Sequence, residues 1–307
     1  MSSTFKLFSW MMLFAAVLAS CGVVSKSQAL KPEPMQDKSA SQLLGNPAYI
    51  AISYGGYRGM TRSEQPSLEQ LKEDLELMHA MGIRFLRTYN VQLPHASNVV
   101  KAIAELKEAD PDFEMYVMLG AWIDCAGAWT DAPNHAEQDV EANEAEIQRA
   151  VALAQQHPDI IKVIAVGNEA MVHWAASYFV APKVILGWVK HLQGLKRAGD
   201  LPSDLWITCS DNFASWGGGG AEYHNADLDS LIHAVDYVSM HTYPFHDTHY
   251  NPTFWNGDVD QAMANAIAYS QNQYAAVVKH LRRIDPDKPV HMGETGWASV
   301  SDGFYGP

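Results

Sequence analysis

Val163-Ile164-Ala165-Val166-Gly167-Asn168-Glu169 is apolar and largely β-branched for four residues, then turns polar within two. A run this apolar suits a parallel strand covered on both faces, and its polar end marks where the strand emerges. The pattern returns in Pro289-Val290-His291-Met292-Gly293-Glu294-Thr295-Gly296-Trp297, again with a glutamate at the end. Outward from these two, similar runs lie at Tyr49–Tyr54, Ile83–Tyr89, Glu114–Leu119, Leu205–Ser210 and Tyr237–His241. With Ile161–Val166 and Val290–Gly293 they make seven expected strands.

Between the strands the period changes to that of a helix. Ser67–Met81 is the clearest: Ser67 and Gln70 have capping-box spacing, Leu68, Leu71, Leu75 and Met78 share a face, and Gly82 stands at the stop. The spacing also predicts helices over Asn98–Ala109, Val140–Gln156, Pro182–Ala198 and Val259–Arg283. Asp110-Pro111, His157-Pro158 and Asp285-Pro286 mark helix ends, because proline disfavours helix in the residue before it. Strands alternating with helices predict an α/β fold with a parallel sheet closed by right-handed crossovers, a (β/α)8 TIM barrel. Seven strands imply that the eighth β/α unit is missing from this chain. An open doubly wound sheet is the alternative, disfavoured because no phosphate-binding Gly-rich turn follows a strand.

The N-terminus reads differently. Lys6 precedes a short apolar run, Leu7 to Leu18, too short to span a bilayer, and then Leu18-Ala19-Ser20-Cys21-Gly22. Small residues before a cysteine resemble a lipobox, which implies a lipoprotein signal peptide over 1–20 and acylation of Cys21. An ordinary signal peptide that contains a cysteine is the alternative, and both imply export. No aspartate follows Cys21, which favours the outer membrane. Residues 21–47 are rich in Ser, Lys, Pro and Gln and are expected to be a flexible tether, leaving 48–307 as the barrel domain.

A net charge of −14 argues against nucleic acid or an acidic polymer as partner. A neutral ligand fits, and nine tryptophans and thirteen tyrosines supply rings on which sugar C–H faces stack. Cys125 and Cys209, the cysteines beyond Cys21, could form one disulfide or remain two buried thiols.

In barrels of this kind catalytic side chains sit at the C-terminal strand ends. Those ends carry Tyr54, Arg87 with Tyr89 and Asn90, Trp122 with Asp124, Asn168 with Glu169, Asp211 with Asn212, His241 with Tyr243, and Glu294 with Trp297. A carboxylate ending a buried strand costs several kcal/mol unless it is hydrogen-bonded or has a chemical task. Either glutamate alone could be a buried ion-pair partner; two at strand ends three β/α units apart favour a catalytic pair.

Asn168-Glu169 after the fourth strand and Gly293-Glu294-Thr295-Gly296-Trp297 after the seventh resemble the acid/base and nucleophile motifs of retaining (β/α)8 glycosidases. Ile52-Ser53-Tyr54-Gly55-Gly56, Ile83-Arg84-Phe85-Leu86-Arg87-Thr88-Tyr89 and Tyr243-Pro244-Phe245 narrow the resemblance to glycoside hydrolase family 17, over Tyr49 to Ser299. It implies cleavage of β-1,3-glucan with retention by a cofactor-free, monomeric enzyme. Glu294 would be the nucleophile and Glu169 the acid/base, its pKa raised by an apolar wall and the Glu294 charge. Asn168 would donate to the sugar 2-hydroxyl and Tyr243 to Glu294. Tyr54, Arg87, Tyr89, Trp122, Asn212, His241 and Trp297 would support the site or line it. The expected substrate is a laminarin-like chain, with glucanosyl transfer and non-catalytic glycan binding as the alternatives. His241, His246 and His249 have irregular spacing and no accompanying ligand set, so no metal is expected. Gly217–Gly220 lacks the Lys-Ser/Thr of a phosphate loop and is expected to let a subsite loop bend.

Overall fold

The computed structural model describes residues 38–244 and 258–297. Cys21, His246, His249, the signal segment and most of the tether lie outside the described residues. In chain order the elements are α1 (Ala40–Leu43), β1 (Ile50–Ser53), α2 (Leu68–Ala80), β2 (Ile83–Arg87), α3 (Pro94–Ala109), β3 (Tyr116–Ala121), β4 (Cys125–Ala126), β5 (Asn134–Gln138), α4 (Val140–Gln156), β6 (Ile161–Asn168), α5 (Pro182–Ala198), β7 (Trp206–Asn212), α6 (Ala226–Ala234), β8 (Val238–His241), α7 (Val259–Leu281) and β9 (Val290–Glu294). All seven expected strands are present. They form one parallel sheet in the order β1-β2-β3-β6-β7-β8-β9, a TIM-barrel-like α/β fold, while β4 and β5 make a separate antiparallel hairpin.

Period-2 alternation sorts the strand residues into two layers. Phe85, Tyr116, Met118, Val163, Ala165 and Tyr237 pack together with Ala40 and Leu43 of α1, on the inner side of the sheet. Their neighbours Leu86, Val117, Leu119, Ile164 and Val166 face the helices and join Leu71 and Leu75 of α2, Val99 and Ile103 of α3, and Ile185 and Val189 of α5. Leu75 is fully buried there, and its truncation to alanine would cost about 2–5 kcal/mol.

The capping box expected at Ser67 forms: the Ser67 hydroxyl accepts from the Gln70 N–H, and the Gln70 side chain accepts from the Ser67 N–H. Helix α3 starts four residues before the expected Asn98, with Pro94 in its first turn, where the missing N–H costs nothing. Helix α6 lies in a stretch read without structure; Asn225 caps it by accepting from Leu228 N–H. The edge strands β1 and β9 do not pair with each other, and they leave Ile50, Ile52 and Met292 exposed. Cys125 and Cys209 are both buried and free.

Gly217 does bend tightly, with a left-handed φ of 83°. A Cβ there would run into the His280 ring of α7, so the bend seats this loop against α7.

Candidate active site

The sheet delivers its polar strand ends to one place. Strand β6 ends at Asn168, and Glu169 follows with φ 47°, a left-handed conformation that costs a non-glycine residue about 1–2 kcal/mol. Its N–H donates to the Ser210 carbonyl at 2.9 Å, which pins the turn to β7. Glu294 ends β9 and is buried. Gly293 precedes it because a Cβ would collide with Ser239 Oγ, so this strand can approach β8 only as glycine.

Three residues converge on Glu294. The Arg87 guanidinium, 5% exposed at the end of β2, donates from Nη1 to Glu294 Oε1 and from Nη2 to Asn168 Oδ1 at 2.6 Å. Tyr243 donates its hydroxyl to Glu294 Oε2 at 2.9 Å. Burial first, then the surrounding charges of Tyr89 and Glu169, push Tyr243 up to about 12, so this donor keeps its proton. His241 Nδ1 lies 3.5 Å from Glu294 Oε2 and 3.2 Å from Glu169 Oε1.

His241 is fully buried, and burial with the nearby Arg87 charge holds its imidazole well below the usual histidine range. A neutral ring has one donor and one acceptor. Nε2 lies 2.6 Å from Ser210 Oγ, which pairs in turn with Ser239 Oγ at 2.9 Å. Facing carboxylates, Nδ1 is assigned the proton, and Nε2 accepts from the Ser210 hydroxyl. One oxygen of Glu169, one of Glu294 and one ring nitrogen of His241 all lie within 4.8 Å of one another. These atoms could in number face a cation. Arg87 already compensates Glu294, however, and a second positive charge beside that guanidinium would be repelled.

The remaining sequence-selected residues divide. Tyr89 lies under the Arg87 guanidinium, 4.8 Å from ring centroid to Cζ. Asn212 accepts from Ala214 N–H and orders the turn after β7. Trp122 donates its indole N–H to Asp124 at 2.8 Å, and Trp297 is exposed. Tyr54 instead donates to Asp74 of α2 at 2.6 Å and packs among the outer core residues.

Two further supports emerge: Asp211, read from the sequence only as a polar strand end, and Glu146, which sequence reasoning passed over. Asp211 is fully buried behind Glu169, accepting from Met171 N–H at 2.7 Å and Asn212 N–H at 2.8 Å. Burial, opposed by those hydrogen bonds, raises its carboxyl to about 7. Glu146 of α4, also buried, accepts from Val91 N–H and Trp122 N–H, tying the loops after β2 and β3 together. A carboxylate inside the apolar stripe of α4, between Asn143 and Ile147, was the available signal.

Residues 51–305 match the BtgE/BtgC glycoside hydrolase domain. The chain is 22% identical over 258 residues to a probable glucan endo-1,3-beta-glucosidase, eglC, of Aspergillus niger, covering 83% of this chain and 50% of that protein. It therefore spans about half the length of that curated relative. Among solved structures, an endo-laminarinase from Formosa Hel1_33_131 is 61% identical with a TM-score of 0.85, covering 87% of this chain and 71% of the laminarinase.

Proposed function

This chain belongs to the BtgE/BtgC glycoside hydrolase domain family, and on that premise we propose that it is a retaining endo-β-1,3-glucanase acting on laminarin-like chains. The observation that carries the proposal is that one oxygen of Glu169 and one of Glu294 lie within 4.8 Å of each other, which supports a closely set carboxyl pair. Retaining glycosidases hold their carboxyls about 5–5.5 Å apart, whereas inverting ones need about 6.5–9.5 Å to admit a water. The names of the two relatives, an endo-1,3-beta-glucosidase and an endo-laminarinase, support the substrate class.

In the first half-reaction Glu294 attacks the anomeric carbon, the glycosidic C–O bond breaks, and Glu169 gives its proton to the departing oxygen. In the second, Glu169 takes a proton from water, whose oxygen attacks the anomeric carbon and releases Glu294. Arg87 and Tyr243 aim Glu294 and compensate its charge. Because Asn168 Oδ1 is taken by Arg87, the amide N–H group is left as the donor for the sugar 2-hydroxyl. Neutral His241 steadies both carboxylates without adding a competing cation.

We also propose that the chain belongs with glycoside hydrolase family 17 and acts as a monomer. A sugar hydroxyl in place of water in the second half-reaction would make it a glucanosyltransferase. Wild type should release reducing sugar from laminarin, and Glu294→Gln should bind laminarin without releasing any. Equal release by both refutes the assignment, and products longer than a laminarihexaose substrate shift it to transfer. We further propose export and lipid anchoring at Cys21; labelled palmitate should enter wild type and not Cys21→Ser, and equal labelling refutes this.

A further inference from the structure

Where the neighbouring strands β3 and β6 end stands an aromatic group that the mechanism does not use. Trp129 sits in the turn between β4 and β5 with φ 64°, one of two non-glycine residues in left-handed backbone among those described; the other is Glu169. The Trp129 side chain is nevertheless 61% exposed, so burial does not account for the strain. Its ring stacks on Tyr178 at 4.9 Å and 21°, and Trp122 lies 5.1 Å from Tyr178 and 6.4 Å from Trp129.

The three rings are fixed from behind. Both indole N–H groups donate to the same Asp124 oxygen, at 2.8 Å from Trp122 and 3.2 Å from Trp129. Trp129 N–H donates to the Ser177 carbonyl and Cys125 N–H to that of Tyr178, which joins the hairpin to the loop after β6. Asn143 clamps the Asp124 backbone with one accepted and one donated bond. With their N–H edges occupied, the rings offer apolar faces and Asp124 offers an acceptor. Among the described residues no cation is paired with the group, which suits a neutral polyhydroxylated ligand with C–H faces. Burial first, then the charges of Glu169, Asp211 and Asp124, raise the Tyr178 hydroxyl, so this ring lies within electrostatic reach of the acid/base.

We propose that Trp122, Trp129 and Tyr178 form a preorganised stacking platform for glucose units of the bound chain, beside the acid/base. The placement follows from the sheet: β3 and β6 are paired neighbours, Trp122 directly follows β3, and Tyr178 lies in the loop that Glu169 opens after β6; the inference thus rests on the glucanase reading. A strained, exposed tryptophan held by a conformation it disfavours is kept for the face it presents.

Trp129→Gly separates binding from folding, because glycine prefers the left-handed backbone and removes the ring. The probe is laminarihexaose labelled with 18O at its reducing end. In a Glu294→Gln background, calorimetry should show hexaose binding weakened about twofold to tenfold by Trp129→Gly, with the thermal midpoint held or raised. In the active enzyme the distribution of cleaved bonds should shift, because the chain is held less firmly on one side. Unchanged binding, an unchanged cleavage pattern, or a lowered midpoint would each overturn the platform. Should wild type bind the hexaose without cutting it, the binding comparison still decides the platform while the glucanase reading falls. Cutting by wild type with no effect of Trp129→Gly leaves that reading intact and removes the platform.

Discussion

Arg87 is the residue whose removal separates electrostatics from packing most cleanly. It is 5% exposed, its two terminal nitrogens reach Glu294 and Asn168, and its Nε has no hydrogen-bond partner among the described residues. Burial lowers its guanidinium from the ordinary value, while Tyr89, Tyr237, Tyr243 and Glu169 push it back up. Arg87→Met keeps the aliphatic stem and deletes the charge, leaving Glu294 buried and uncompensated near Glu169. Removing one partner of such a pair costs about 3–5 kcal/mol, which for a domain of this size lowers Tm by about 6–20 °C. Glu294→Gln should cost far less, and the double variant less than Arg87→Met alone, since a neutral amide needs no cation. Urea denaturation of the four proteins gives the coupling directly. Additive losses, or an Arg87→Met protein within 1 kcal/mol of wild type, would refute the role of charge compensation.

Tyr243→Phe removes one hydrogen bond to a charged group, about 1.5–3 kcal/mol, so kcat/KM on laminarin should fall about 10- to 150-fold with the fold intact by circular dichroism. Asp211 binds a proton in the folded state up to about pH 7 that the unfolded chain releases near pH 4, so its contribution to stability declines as pH rises through that window. Asp211→Asn should therefore be more destabilising at pH 4.5 than at pH 8, by about 4 kcal/mol at most in chemical denaturation; a pH-independent difference contradicts the shift. Ser210→Ala leaves His241 Nε2 without its donor and should lower kcat while KM for laminarihexaose holds, and Ser210→Thr should restore it. The exposed apolar residues of β1 and β9 predict that these edges take an eighth strand. A chain extended by one β/α unit should melt higher and bind less apolar dye, and identical behaviour would refute this.

The ends of β6 and β8 were legible because burial on both faces keeps a strand largely apolar until its exit. Glu294, on the partly buried edge strand β9, was legible from its Gly-Glu-Thr-Gly-Trp setting. Asn168, Glu169, His241 and Glu294 stand out from the sequence; the last three meet in space, and Arg87 bridges Asn168 to Glu294. Tyr54 occupies the same kind of position, yet it turns outward to Asp74, because a strand end leaves the side chain a choice that the partner on α2 decides. Trp129, Tyr178 and Glu146 act through contacts between loops and helices far apart in sequence, which no period encodes. Nor does the letter for tryptophan carry its φ of 64°. The hairpin β4–β5 was missed because Asn134–Gln138 is polar and half-exposed, and two residues of β4 are too few to show alternation.

The central claim is that Glu294 attacks the sugar while Glu169 moves the proton. A 2-deoxy-2-fluoro laminaribiosyl fluoride slows the second half-reaction and traps whatever carboxylate bonds to the anomeric carbon. Mass spectrometry of a proteolytic digest should place one fluorosugar on the peptide carrying Glu294, and none in Glu294→Gln. Label on the Glu169 peptide, or turnover of unmodified substrate to products of inverted anomeric configuration, would contradict the account.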